Sequence, residues 1–298
     1  MTLNLKPTLT QLDQQLHQFL HTDITPLQEA GRLIITEHDQ RIRSQLTLLA
    51  FLAAGGDQHQ FPQITPLAAS IELVHTANLI HDDINNYSQR QRDKIDVRNR
   101  WGSTFALLCG DYFFAKVYQI MAPYSARHNE IIATACVRLV EGETLQSHAA
   151  KEGFLDEPTY NKIIDRKTAR LFQAAALLPA ISATDDETII AALGQFGLHL
   201  GLTYQIIQDI IDLHHNLAEQ NQNPAHLLVA QAVSQPTHHS VPPATPTKIS
   251  PATNALQHAR QHAHQTAHHA RQALAPLPHS PAHDDLIALL DSLLDTLP

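Results

Sequence analysis

The stretch HTANLIHDDINNYSQRQRDKIDVRNRWG, residues 75–102, crowds acids and bases together where a helix opens into a loop. Asp82 and Asn86 lie four apart and His75 lies two helical turns before Asp82, so on a continuous helix all three project from one face. Arg90, Arg92, Arg98 and Arg100 follow at once. A carboxylate row beside an arginine cluster suits a diphosphate, with metal ions bridging acid to phosphate and guanidinium forks taking the remaining oxygens. The same residues would also serve a solvated helix end whose acids and arginines pair with one another, and this stretch alone leaves both readings open.

Working outward, the upstream flank reads as helix. Thr65 and Pro66 form an N-cap and a first helical position, opening a helix that carries Leu67, Ile71 and Val74 inward and runs to Asp82. LTLLAFLAA (residues 46–54) is a buried helical run stopped at Gly55 and Gly56. Just before it, Arg41 and Arg43 stand at a helix start, where cations oppose the helix dipole and call for an anionic partner. Leu12, Leu16, Phe19 and Leu20 recur at helical spacing in an amphipathic first helix.

Downstream, Gly102 and Ser103 break and recap the chain, and residues 106–121 are apolar nearly all round, the mark of a central helix. Residues 127–150 form the next helix, with Gly142 and Gln146. After Pro158 a helix carries Ile163, Ile164, Leu171 and Phe172 on its apolar face and KTAR (residues 167–170) within it. A lone Lys167 on such a helix is ordinarily solvated, but QIIQDIID (residues 205–212) supports a functional role. There Gln205, Asp209 and Asp212 share one helical face, with Gln208 beside them, among four isoleucines. Burying carboxylates is costly unless a cation or hydrogen bonds compensate, so a second acidic helix facing the first across a cavity is expected. No stretch alternates β-branched residues with period two, and the expected fold class is all-α.

A chain of 298 residues, 43% hydrophobic, can bury a substantial core. Cys109 and Cys136 give no disulfide framework, and no charged-then-apolar leader opens the chain, so a cytoplasmic location is expected. No uninterrupted apolar run reaches the roughly 18 residues of a membrane span. A net charge of -9 disfavours nucleic acid as a partner. The 10 glycines include no GxxxxGK or GxGxxG setting, so any phosphate is held by side chains and metal.

Residues 234–251, SQPTHHSVPPATPTKISP, read as a flexible loop within one domain. Beyond it Ala255, Ala259, Ala263 and Ala267 form a small-residue stripe for close helix packing. The pairs His258/His262 and His264/His268 have metal-ligand spacing, but no cysteine or acid interleaves them and no zinc site is expected there. Asp284 and Asp285 read as first-turn capping acids of a last helix over residues 286–297.

In order and spacing, ELVHTANLIHDD with its arginine-containing loop and RWG, then GDYFFA, GETLQ, KTARLF and LGLTYQIIQDIID, resemble the trans-isoprenyl diphosphate synthases, or polyprenyl synthetases. The resemblance covers nearly the whole chain. It implies a large single-domain helical bundle of residues 1–298 around a central cavity, of the isoprenoid synthase type and usually dimeric. It implies two aspartate-rich helices that hold Mg2+ and an allylic diphosphate, with isopentenyl diphosphate in a neighbouring basic pocket. The metal ligands would be Asp82, Asn86, Asp209 and Asp212, with Asp83 and Lys167 joining Asp82, Asp209 and Asp212 as catalytic groups. Arg43, His75, Arg92, Thr168 and Gln205 would bind substrate.

The sequence departs from the family pattern in a consistent way. DDxxD reads DDINN, with Asn86 last, and the second motif reads QDIID, with Gln208 leading. Gln40 and Asp39 replace the lysine and glycine of a GKxxR motif, Gln91 replaces the arginine before Arg92, and the glycine-lysine loop after the second motif is missing. Amide for carboxylate weakens a magnesium site, and amide for cation weakens a phosphate site. Two functions are therefore expected: a prenyltransferase, weakened or altered, that condenses isopentenyl diphosphate with an allylic diphosphate; or a non-catalytic subunit that pairs with and regulates an active homologue. The partner would be a second copy or that homologue. Asn78 and Ala77, four and five positions before the first motif, are not aromatic and allow a longer product chain.

Overall fold

The computed structural model describes residues 3–35, 41–85, 97–218 and 250–298. Its helices are α1 (Lys6–Phe19), α2 (Thr25–Ile35), α3 (Ile42–Ala53), α4 (Phe61–Asn85), α5 (Val97–Trp101), α6 (Ser103–Met121), α7 (Ala126–Glu152), α8 (Glu157–Ile164), α9 (Arg170–Ala183), α10 (Glu187–Ala218), α11 (Ser250–Ala273) and α12 (Pro281–Leu294). A 3₁₀ turn, Gln58–Gln60, precedes α4, and a π-helical turn, Asp165–Ala169, joins α8 to α9. The described residues contain no strand, and the fold is all-α as the periodicity predicts.

The chain packs as two compact units, the first drawn from Met1–Ala133, Ala174–Leu193 and Leu277–Leu286, the second from Thr134–Gln173, Gly194–Pro276 and Ile287–Pro298. In the first unit α4 packs against α1, α3 and α6. Leu67, Ile71, Leu73, Val74 and Ala77 are all fully buried along one broad face of α4, and Ser70, Glu72 and Thr76 are buried with them. Side chains of this size each stabilise the fold by about 1.5–3 kcal/mol when fully buried.

The start of α4 differs from the expectation. Thr65 does not cap α4, which starts at Phe61 after Asp57 caps the 3₁₀ turn: Asp57 Oδ1 accepts from His59 N at 2.8 Å, and the Asp57 backbone N–H donates to Gln60 Oε1 at 3.1 Å. Pro66 lies inside α4, in its second turn, where it removes one backbone hydrogen bond and the burial of the surrounding helix offsets the cost. Arg41 finds its anionic partners within the fold: it bonds Asp13 at 2.9 Å, Glu72 at 3.3 Å and the Ile35 carbonyl at 2.8 Å. It adopts φ 43° at the N-cap of α3, a left-handed conformation costly for a side chain. The buried ion pair with Glu72, itself bonded by Ser44 Oγ at 2.6 Å, holds it there.

In α6 Gly102, at φ 88°, breaks the chain as expected, but the helix is not buried all round. Leu107, Leu108 and Tyr118 are exposed, as are Val137 and Val140 on α7. The last helix starts at Pro281, five residues before the expected 286, and its cap is Ser280, whose Oγ accepts from His283 N at 3.2 Å. Asp285 instead accepts from Leu3 N at 2.7 Å. Of residues 234–251, Ser250 and Pro251 open α11 and the rest lie outside the described residues.

The second unit is built on α10 and α11. Ala259, Ala263 and Ala267 are buried in a small-residue stripe, as the spacing predicts, and Ala270 continues it, while the side chain of Ala255 lies outside the described residues. Thr203 Oγ1 donates to Thr266 Oγ1 at 2.9 Å, joining the two helices inside the core. Glu187–His214 of α10 is long and apolar enough to cross a membrane by length and composition, unlike any uninterrupted run in the sequence. Averaged hydropathy tolerates Asp209 and Asp212, which a search for unbroken apolar runs does not. With 56% of that window buried inside the fold, α10 has the burial of a core helix.

One buried and two half-buried histidines should make the fold acid-labile. His128 places Nδ1 2.7 Å from Ser125 Oγ and Nε2 2.9 Å from Ser182 Oγ, and burial, then the Arg127 charge, lowers its pKa. Burial also lowers His199 and His262. The unfolded chain therefore binds more protons, so this stability is complete above about pH 6.5 and is lost as pH falls through the depressed folded values. The melting temperature should stay level from pH 7.5 to about 6.5 and fall from there to pH 5, and His128→Gln should flatten the fall. A flat or rising profile would contradict this account.

Candidate active site

In the first unit, α4 carries His75, half-buried, and Asp82, half-buried in its last turns, with Asp83 beside it. Ala77 is 0% and Asn78 7% exposed, one turn before the acids. Arg43 is 8% exposed in the first turn of α3, where the buried face of that helix holds it. Asn86 and Arg92, with Gln40 and Gln91, lie outside the described residues.

In the second unit the expected residues are joined by hydrogen bonds. Thr168 Oγ1 donates to Gln205 Oε1 at 2.6 Å, and Gln205 Nε2 donates to Asp209 Oδ1 at 3.0 Å. Tyr160 OH donates to Asp209 Oδ2 at 2.7 Å. The i,i+4 spacing of Gln205 and Asp209 on α10 makes the middle bond possible. Burial, and then the adjacent Asp209 charge, push the Tyr160 hydroxyl well above its ordinary pKa, so it remains a donor. Asp212 follows on the same helix, half-buried.

Lys167 and Thr168 sit on the π turn, where an extra residue per turn pushes the backbone outward and redirects its side chains. Lys167 Nζ bonds Glu143 Oε1 at 2.6 Å and Gln146 Oε1 at 2.9 Å. Two glycines let neighbouring helices approach this turn. A Cβ on Gly142 would lie 2.6 Å from the Lys167 backbone nitrogen, and one on Gly201 would lie 2.7 Å from Ala169 Cα. Both obstacles are backbone and cannot swing aside. Gly142→Ala should therefore cost about 1–3 kcal/mol of stability as overpacking forces a shift, and it should displace Lys167. Urea denaturation measures the first effect. An unchanged midpoint would mean that α7 slides freely past the turn.

Sequence reasoning passed over Tyr160, Glu143 and the second role of the glycines. Glu143 lies three before Gln146, in GETLQ, and both reach Lys167 from one face of α7. Tyr160 had no local signal, because the acid it meets lies 49 residues away. It acts as a positioning residue. Tyr160→Phe keeps the ring but removes the donor, and should weaken magnesium binding by about 10–100-fold, the usual effect of losing a group that orients a metal ligand. Calorimetric magnesium titration checks this, and an unchanged affinity would exclude the role.

Magnesium takes hard oxygen ligands, and the carboxylates of Asp82, Asp209 and Asp212 are of that kind. Neutral donors, a phenol and an amide, orient Asp209 without cancelling its charge, which is what a ligand for a hard dication requires. The donor set fits the ion on these grounds.

Comparison with known proteins identifies the family. The family model described as polyprenyl synthetase matches residues 25–274. The octaprenyl diphosphate synthase of Escherichia coli K12 is 29% identical over 241 residues, covering 80% of this chain and 73% of that protein. Component 2 of the heptaprenyl diphosphate synthase of Geobacillus stearothermophilus is 32% identical, over 70% of this chain and 64% of its own length. The structure of a polyprenyl synthase from Caulobacter crescentus CB15, complexed with calcium and isoprenyl diphosphate, superposes with a TM-score of 0.81 at 27% identity, covering 99% of this chain and 96% of that one. With the all-α fold, the motifs in order and a match across most of its length, this chain belongs to the polyprenyl synthetase family, the trans-isoprenyl diphosphate synthases.

Proposed function

We propose that the chain condenses isopentenyl diphosphate with an allylic diphosphate. The observation that carries this reading is the hydrogen-bonded line from Thr168 through Gln205 and Asp209 to Tyr160, with Lys167 held beside Thr168 on the π turn. The line aligns a carboxylate with polar and cationic groups on the helices that carry the family motifs. In this reading Asp82, Asp83 and Asn86 on one acidic stretch, and Asp209 and Asp212 on the other, are the magnesium ligands. Magnesium, when bound, supplies positive charge to the departing diphosphate as the allylic carbon–oxygen bond ionises. Lys167 adds a fixed cation for that group, while Thr168 and Gln205 orient it. Arg43, His75 and Arg92 take the isopentenyl diphosphate. The Caulobacter relative, complexed with calcium and isoprenyl diphosphate, supports both a divalent cation and a diphosphate ligand.

Asn86, Gln208, Gln40 and Gln91 thin the charge on both sides of the reaction, so turnover is slow for the family. Ala77 and Asn78 present no aromatic ring one turn before the acids, which supports a long product. The cysteines form no disulfide, in keeping with a cytoplasmic location. Leu107, Leu108 and Tyr118 on α6, and Val137 and Val140 on α7, leave apolar surface exposed for a second chain. The Geobacillus relative is named as one component of a synthase, which supports pairing with a different chain; the amides Asn86 and Gln208 in the acidic motifs favour a second reading in which that partner is an active homologue and this chain regulates it.

Incubation of the purified chain with magnesium, labelled isopentenyl diphosphate and allylic diphosphates of increasing length tests the proposal. Labelled products of several condensations are expected. Absence of product with every allylic substrate, and its appearance only when a homologue is added, would favour the regulatory subunit.

A further inference from the structure

We infer that His279, His283 and Asp284 form a site for a zinc-class divalent ion, separate from the magnesium ligands. The three residues lie within the first unit, in the turn that leads from α11 into α12 and in the first turn of α12. Their candidate ligand atoms all lie within 4.8 Å of one another. Asp284 Oδ1 is 3.4 Å from His279 Nδ1 and 3.5 Å from His283 Nδ1. Tetrahedral ligands bound at about 2.0–2.1 Å stand roughly 3.3 Å apart, so both distances match an edge of a zinc coordination shell. They are too long for direct hydrogen bonds.

His283 gives a second, independent indication. Its Nδ1 is buried and has no hydrogen-bond partner among the described residues. A buried polar atom in that state calls for a cation, a water or a partner. The His283 backbone N–H donates to Ser280 Oγ, which fixes the start of the helix beneath the ring. The neighbouring Asp285 is engaged elsewhere, on Leu3 N, and leaves Asp284 as the acid beside the two imidazoles. His279 is 81% exposed at its side chain and can rotate the short distance that closes the triangle.

Two imidazoles and one carboxylate form a borderline ligand set that selects zinc and its late first-row neighbours over magnesium, which prefers all-oxygen shells. The helix dipole at the start of α12 opposes a cation, and the charge of Asp284 counteracts it. A bound ion would tie the loop at His279 to the first turn of α12. The acid that follows His283 distinguishes this cluster from the i,i+4 histidine pairs of α11.

The test is calorimetric titration of the full chain with zinc chloride after chelator treatment, for wild type, His279→Ala, Asp284→Asn and a control, His268→Ala on α11. One tightest site per chain is expected, weakened at least tenfold in His279→Ala and Asp284→Asn and unchanged in the control. Zinc should raise the melting temperature of wild type and control but not of the two site variants, whose metal-free melting temperatures should match wild type. Equal affinity in His279→Ala and wild type, or equal losses in the control and the site variants, would overturn the assignment. Prenyl transfer is not the readout, so failure here is distinguishable from failure of the proposed reaction.

Discussion

Asp209→Asn should lower kcat for prenyl transfer by about 10²–10³, the scale of removing one preorganised electrostatic contact to a developing charge. The substitution is nearly isosteric, and the amide oxygen can still accept from Tyr160 or Gln205, which now lie 2.7 Å and 3.0 Å from the carboxylate. What disappears is the unit charge. The melting temperature should therefore stay close to wild type while magnesium affinity falls, and this separates a ligand role from a packing role. Activity within a factor of about three of wild type would remove Asp209 from the reaction, since such a change is under 1 kcal/mol in barrier height.

The second large effect runs the other way. Asn86→Asp combined with Gln208→Asp adds two anionic oxygen ligands, one to each acidic stretch. Each carboxylate brings charge and a harder donor to magnesium than the amide it replaces. Magnesium affinity should rise at least tenfold and turnover should rise with it, though not to the full extent, because Gln40 and Gln91 still leave the phosphates short of cations. Gln208 precedes Asp209 on α10 and Asp82 shares its stretch with Asn86, so the added acids also repel their neighbours. The metal-free variant should melt slightly lower than wild type. Unchanged magnesium binding would show that these positions are not ligands, and tighter binding without faster turnover would favour the regulatory subunit.

Much of the fold was legible because helical periodicity is a local signal. The runs containing Leu12 and Leu16, residues 46–54 and the alanines of α11 all became buried faces of helices. Thr168, Gln205 and Asp209 were each expected at the site from the family motifs, and in the structure hydrogen bonds join them. What the sequence hid depends on contacts between distant residues. Arg41 and Glu72 lie 31 apart and Tyr160 and Asp209 49 apart, so neither pair leaves a mark on local composition.

The π turn was hidden for a different reason. Counting apolar residues at a period of 3.6 reads straight through residues 157–183, because the pairs Ile163/Ile164 and Leu171/Phe172 stand eight apart and fit an unbroken helix. In α6 the error came from treating an apolar surface as evidence of burial. Leu107, Leu108 and Tyr118 are exposed instead, which is how an interaction surface also looks in sequence. Thr65 was misread as a cap because Pro66 resembles a first helical residue, whereas Asp57 and Gln60 had already begun the turn that leads into α4.

The central claim, that this chain carries out prenyl transfer with its own residues, is tested most directly by a single-turnover experiment. Excess purified chain is mixed with labelled isopentenyl diphosphate and a long allylic diphosphate, with magnesium or with chelator, and quenched over time. The account predicts one labelled condensation product that forms only with magnesium and more slowly in Asp209→Asn. Product formation that ignores magnesium, or no product from the chain alone at any enzyme excess, would contradict it.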